Sequence, residues 1–460
     1  MLLATKRLGN KIRGWFSGED ISFAFIVSLA VPVIIDQFFL VSFNFINTAM
    51  ISSSGAEAVS AVNMVGSLHY FMVQVFAAVG LGGTVVIAQY YGRRNFREMG
   101  KMAASTVFGC FCMALALTIT FLVLRDPVLS LLFGKAEPTV MTNAKIYMTG
   151  LLLSYPMQAI VEGTNGSLRG IGRTKASLKL SLLMNAIYIA GNFLFVSQLG
   201  LGVRGLTYSL NISRFIAVFF AIYTLHANSG LLHIRRLYFR YPSYKKILHI
   251  IKISIPFATE SLVFNGGKII MQILIVSLGT QNIAANAIAV SWVQLSEIIP
   301  SALSTSLVPI VGQCIGRVNI RDARKLTKSF VLLGCLAFIT VDLLLLPFFH
   351  VGMSLFNPPA GTVPLIFQIF IIYIFTHFLF WSISFILPAA LRAAGDAKFT
   401  TAVSLLSMWI YRIGMGYLFG IYLGYGLLGL FTVTCSEWAI RGSIFYFRFR
   451  GSKWYANKLI

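Results

Sequence analysis

The sequence predicts an all-α integral membrane protein with twelve spanning helices in two lobes of six. Three observations predict it. Of 460 residues 57% are hydrophobic and only 11% charged, and the mean hydropathy of +0.80 is too high for a soluble globule. Apolar runs long enough to cross a core about 30 Å thick, at about 1.5 Å of rise per residue, number twelve. The second half also repeats motifs of the first at an offset of 224 positions.

In chain order the runs cover about 21–48, 58–91, 102–124, 140–163, 176–199, 204–227, 249–279, 283–315, 327–351, 362–390, 399–423 and 427–447. Several exceed the roughly 20 residues a span needs, which implies tilt or extension past the membrane. The net charge of +23 is distributed by loop. Basic clusters fall at the amino terminus (Lys6, Arg7, Lys11, Arg13), after run 2 (Arg93, Arg94, Arg97, Lys101) and after run 4 (Arg169, Arg173, Lys175). They recur after run 6 (Arg235, Arg236, Arg240, Lys245, Lys246), after run 8 (Arg317, Arg321, Arg324, Lys325), after run 10 (Arg392, Lys398) and in the tail. The alternate loops hold Arg125, Lys135 and Arg204 at most. By the positive-inside rule both termini and every even-to-odd loop are cytoplasmic in a cell membrane. The charge is therefore a topology signal and not a nucleic-acid footprint.

MLLATKRLGNKIRGWF has no apolar core with a small-residue cleavage site, so no cleaved signal peptide is expected. Cys110, Cys112, Cys314, Cys335 and Cys435 form no CxxC pair, which leaves neither a disulfide framework nor metal-ligand spacing. The six histidines are scattered, there is no Walker pattern, and no cofactor is expected.

The repeat is clearest in QYYGRRNFRE (Gln89 to Glu98) over QCIGRVNIRD (Gln313 to Asp322), where Glu98 meets Asp322. GLGVRG (Gly200 to Gly205) lies over GYGLLG (Gly424 to Gly429). With a slip of one residue, SLRGIGRTK ending at Lys175 matches ALRAAGDAK ending at Lys398. The expected organisation is a lobe over 1–227, a basic cytoplasmic linker over 228–248 and a second lobe over 249–460. An even number of spans per copy gives both copies one orientation, a transporter architecture in which the halves rock about a cavity. Gly200-x-Gly202-x-x-Gly205 also satisfies a dinucleotide pattern, but it sits on a turn between two spans without a βαβ unit, so tight turning and close packing explain it.

Two stretches carry the candidate chemistry, VPVIIDQFFL with Pro32 and Asp36, and IPFATESLVF with Pro256 and Glu260. In each a carboxylate follows a proline by four residues inside an apolar run. An acid at the centre of a span costs roughly 2.5 to 3.5 kcal/mol on insertion scales, which makes it a functional candidate. Asn47 shares a helical face with Asp36, and Asn44 lies within about 80° of it. Such a stripe faces protein or a water-filled cavity, either as a site or as an interhelical hydrogen bond. Glu260 is followed by Asn265 and Lys268, and either holds a proton or pairs with Lys268. Glu297 stands open between a second proton site and an interhelical contact. Glu437 and Arg441 have the spacing of a helical ion pair, with Arg412 as a third member. Glu162 and Asp342 read as structural, and the intramembrane cations Arg214, Lys268 and Arg412 as scattered. Most Phe and Met side chains are expected to face lipid.

Taken together, GRRNFREMGK with its copy GRVNIRDARK, the paired LRG and LRA turns, and MWIYRIGMGYLFGIYLGYGLLGLF with the closing Arg441 and Trp454 resemble the multidrug and toxic compound extrusion (MATE) transporters along essentially the whole chain. The resemblance implies a V-shaped pair of six-helix lobes that export organic cations or amphiphilic drugs in exchange for H⁺ or Na⁺, and no enzyme. It also marks departures. Asn47-Thr48 stands where many members have Asp-Thr, and Asn192 where one branch has an acid in helix 5. Asn265 and Trp381 stand where another branch has acids in helices 7 and 10. The ion-coupling candidates are accordingly Asp36, Glu260 and Glu297, and the cavity candidates are Gln37, Asn44, Asn47, Asn185, Asn192, Asn265, Lys268 and Trp381. The expected partners are a small cationic or amphiphilic substrate, H⁺ or Na⁺, and the bilayer, with no nucleic acid, around a monomer. A flippase for lipid-linked oligosaccharides is the alternative within the superfamily and would need a more cationic cavity. A polytopic membrane enzyme would need a clustered acid, histidine or metal motif.

Overall fold

The structure, a computed structural model, describes residues 14–52, 55–134, 136–356, 358–359, 361–457 and 459–460. Lys6, Arg7, Lys11 and Arg13, and the side chains of Asn44 and Thr48, lie outside the described part. Among the described residues twelve long helices follow one another: α1 (Phe23–Ser52), α2 (Ala56–Gly92), α3 (Phe96–Val123), α4 (Pro138–Gly170), α5 (Thr174–Gln198) and α6 (Gly202–Ala227). The second set is α7 (Tyr244–Val276), α8 (Thr280–Gly316), α9 (Ile320–Leu345), α10 (Val363–Ala393), α11 (Ala397–Tyr422) and α12 (Gly426–Arg450). Among the described residues ten are long and apolar enough to cross a membrane. The other two, α4 and α12, are long enough but more polar, carrying Glu162 and Arg169, and Glu437 and Arg441.

The repeated motif after α2 and α8 is a helix-capping turn. Arg94 and Val318 take the left-handed conformation (φ 58° and 60°) that reverses the chain. The next residue, Asn95 or Asn319, accepts the backbone N–H three residues on, that of Glu98 or Asp322, and so caps α3 or α9. The paired glycines between α5 and α6, and between α11 and α12, also serve turning: Gly200, Gly202, Gly424 and Gly426 all have positive φ, where a Cβ would be strained.

By packing, the chain forms two compact units that are not the two copies of the repeat. One is Ile35–Ala258, and the other is Thr259–Ile460 together with residues 14–34. The 228–248 segment thus belongs to the first unit. The divisions fall two residues after Pro32 and Pro256, the prolines inside α1 and α7 that each remove a helical hydrogen bond. Each unit seats the segment that leads into one of these helices on the capped acid of its own α3 or α9. In the second unit Asp322 accepts the backbone N–H groups of Glu19 (2.7 Å) and Asp20 (3.3 Å), and Phe16 packs on Phe330. In the first unit Glu98 pairs with Lys101 and with Lys246, at the start of α7.

Candidate functional site

Among the described residues a polar cavity lies in each unit, and corresponding helices of the repeat build both. In Ile35–Ala258 a cavity of about 510 Å³ opens among α1, α2, α4, α5 and α6. In the other unit one of about 390 Å³ opens among α7, α8, α10, α11 and α12.

Asp36 lines the first cavity, 5% exposed. Arg169, on the last turn of α4, reaches it with Nη2 3.4 Å from Oδ2, and the Ser181 hydroxyl of α5 donates to the same carboxylate. Glu260 has the same two partners in the second copy. Arg392 Nη1 lies 3.1 Å from its Oε2, and Ser404 Oγ donates to Oε1 at 2.9 Å. Arg392 and Ser404 are the sequence counterparts of Arg169 and Ser181, each at an offset of 223. The paired LRG and LRA turns therefore supply arginines that hold the two helical acids, and Glu260 pairs with Arg392 rather than with Lys268.

The remaining carboxylates facing the cavities make no ion pair with Lys or Arg among the described residues. In the first cavity Glu162 accepts from Gln158 Nε2 at 3.2 Å, and Arg214 hydrogen-bonds to Ser154. In the second, Glu297 keeps 30% of its side chain accessible and accepts from Trp381 Nε1 at 3.2 Å. Behind it His377 stands with Nε2 3.9 Å from Glu297 and Nδ1 3.4 Å from Asp342 Oδ2. His377 and Asp342 are almost completely buried. Lys268 lines the same cavity and makes no ion pair among the described residues. Arg412 does not stand free there, because Glu437 takes it at 2.6 Å together with Arg441 at 3.5 Å. Phe264, Tyr373, Trp381, Phe385, Phe431 and Trp438 give this cavity an aromatic wall.

The profile of the family MatE matches the chain twice, over residues 32–194 and 256–418, two segments related by the same offset of 224. The chain belongs to the MatE family. MatE proteins are transporters, so this chain is a multi-pass membrane transporter and not an enzyme. Among curated relatives it is 26% identical to the uncharacterized transporter YisQ of Bacillus subtilis, covering 93% of this chain and 94% of YisQ. It is 22% identical to the probable multidrug resistance protein NorM of Thermotoga maritima, covering 93% and 92%. A solved structure of a mutant of the Vibrio cholerae MATE transporter VcmN shares the fold, with a TM-score of 0.86 at 17% identity over 94% of this chain and 98% of that one.

In this MatE chain the candidate residues divide. Asp36, Asn47 and Asn185 line the first cavity, and buried Asn192 donates from Nδ2 to Asn47 Oδ1 at 3.1 Å. Glu297, Lys268 and Trp381 line the second. Gln37, Glu260 and Asn265, all half-buried, are not among the lining residues, and Asn265 turns back onto the Ser261 carbonyl. Asn44 lies outside the described side chains. Of the three intramembrane cations read as scattered, Lys268 and Arg412 line one cavity and Arg214 lines the other, where Arg169 of the LRG turn is also a lining residue. His377 was not singled out by sequence, and Glu162 and Asp342 were read there only as structural acids. Each is a lone polar residue in an apolar run, and only the packing of separate helices unites them.

Proposed function

We propose that the chain is an ion-coupled exporter that moves organic cations or amphiphilic drugs out across the cell membrane by alternating access, in exchange for H⁺ or Na⁺. It works as a monomer with both termini in the cytoplasm. The observation that carries this reading is Glu297, a carboxylate without an Arg or Lys partner among the described residues, at an aromatic-walled cavity and backed by the buried His377–Asp342 pair. An aromatic wall with one acid suits a lipophilic cation, since ring faces attract cations and the carboxylate balances the charge. The same carboxylate holds either a coupling ion or the cation, and that exclusion is the coupling. Asp36 and Glu260 enter the cycle through their arginines, because protonating either acid releases Arg169 or Arg392. One charge moving down about 100 mV releases about 2.3 kcal/mol, which sustains a gradient of nearly 50-fold. The name of the Thermotoga relative, a probable multidrug resistance protein, supports the substrate class.

The test is ethidium efflux from everted vesicles at varied pH and Na⁺. Export that stops when both gradients are collapsed, and Glu297→Gln protein that transports at least about tenfold more slowly, are the expected outcomes. Export unchanged by the collapse would sink the coupling. A second reading, flipping of a lipid-linked sugar with an anionic head, is favoured by the pair of cations that each cavity gathers. Movement of a fluorescent lipid-linked sugar without dye efflux would select it.

A further inference from the structure

The segment after α6 is not a tether. Two short helices, Ser229–Leu232 and Arg236–Arg240, fold back onto α3. His233 turns the chain in the left-handed conformation and stacks on Phe96 at 4.9 Å. Gly100 of α3 makes that seat possible, since a Cβ there would lie 2.3 Å from the His233 carbonyl oxygen. Phe239 packs on Phe108 with ring centroids 5.8 Å apart.

Beneath this bracket lies a third cavity, about 610 Å³, walled by Phe108 of α3, Ile160 of α4, Leu225 of α6 and Phe239 of the bracket. Among the described residues its polar lining is His226 and Ser229, both at the bracket end. The bracket residues that line it, Ile234 and Phe239, are each followed by an exposed arginine, Arg235 and Arg240. No Asp or Glu occurs anywhere between Glu162 and Glu260. Glu98, the acid of α3 beside the bracket, is already paired with Lys101 and Lys246, so an occupant that matches the groove is apolar along its length and anionic at the bracket end. In a protein whose surrounding solvent is lipid, that description fits an acyl chain with its phosphate.

We propose that this groove binds one acyl chain of an anionic phospholipid, with the phosphate held by Arg235 and Arg240. The site is independent of the two polar cavities and of the export reading. The test uses the full-length protein in nanodiscs and measures retained lipid by native mass spectrometry, with phosphatidylglycerol and phosphatidylcholine of identical chains as probes. Phosphatidylglycerol is expected to be retained in preference, and Arg235→Gln/Arg240→Gln protein to lose that preference by roughly tenfold. Filling the groove with Ile160→Trp, or at its mouth with Ser229→Trp should the first variant not fold, is expected to abolish retention while both arginines remain. Three outcomes would overturn the site: equal retention of phosphatidylcholine, undiminished retention in the filled variants, and displacement by glycerol 3-phosphate alone, which would indicate a phosphate site without a chain.

Discussion

Removing one partner of the Glu260–Arg392 pair leaves a charge in a place shaped for two. Breaking a fully buried pair costs about 3 to 5 kcal/mol. Here both side chains keep 16 to 20% of their surface in contact with solvent, and Arg392→Gln is expected to cost less, about 1 to 3 kcal/mol. Adding Glu260→Gln should recover part of that loss, with a coupling of about 1 kcal/mol in a double-mutant cycle of melting temperatures in detergent. Strict additivity would show that the pair contributes nothing. The acids were legible in the sequence because a carboxylate stands out in an apolar run. Their arginines, 133 and 132 positions away, were not. Each sits in a basic loop segment where the charge bias already explains it, and nothing local says that it turns inward.

The capping turns make a prediction of a different kind. Asn95→Ala removes one cap and should cost about 1 kcal/mol. Asn319→Ala should cost more, because the Asn319 amide also donates to Asp322 Oδ2 at 3.1 Å, and Asp322 holds the segment before α1. Differential scanning fluorimetry of both variants checks the order, and equal losses would mean that the anchoring adds nothing. Helix existence and approximate extent could be read from apolar length alone. The π-helical stretches Phe193–Gln198, His377–Trp381, Ser407–Ile413 and Tyr417–Tyr422 could not. A widened turn is a change in hydrogen-bond register that leaves composition and hydropathy unaltered. One of these stretches begins at His377 and ends at Trp381, both of which bear on Glu297.

For the molecule as a whole, the cytoplasmic assignment of the even-to-odd loops makes a direct expectation. With the five native cysteines replaced, Tyr241→Cys in the bracket should react with an impermeant maleimide only in inverted vesicles, and Leu199→Cys between α5 and α6 only in intact cells. Both positions are exposed, and labelling of both from one side would reject the topology. The duplication was legible in full, because motif offsets and the family match give the same 224. The packing units were not, since repeated motifs mark common descent whereas packing follows the helices after each proline. The π-helical stretch Ser407–Ile413 bears on that descent. The second copy is one residue longer between Ser404 and Gly424 than the first between Ser181 and Gly200. An added residue ordinarily swings everything beyond it by about 100° around the helix axis. Taken up in a wider turn, it leaves the later side chains facing as before. The two copies can thus differ in length by insertion and still present matching faces at Gly200 and Gly424.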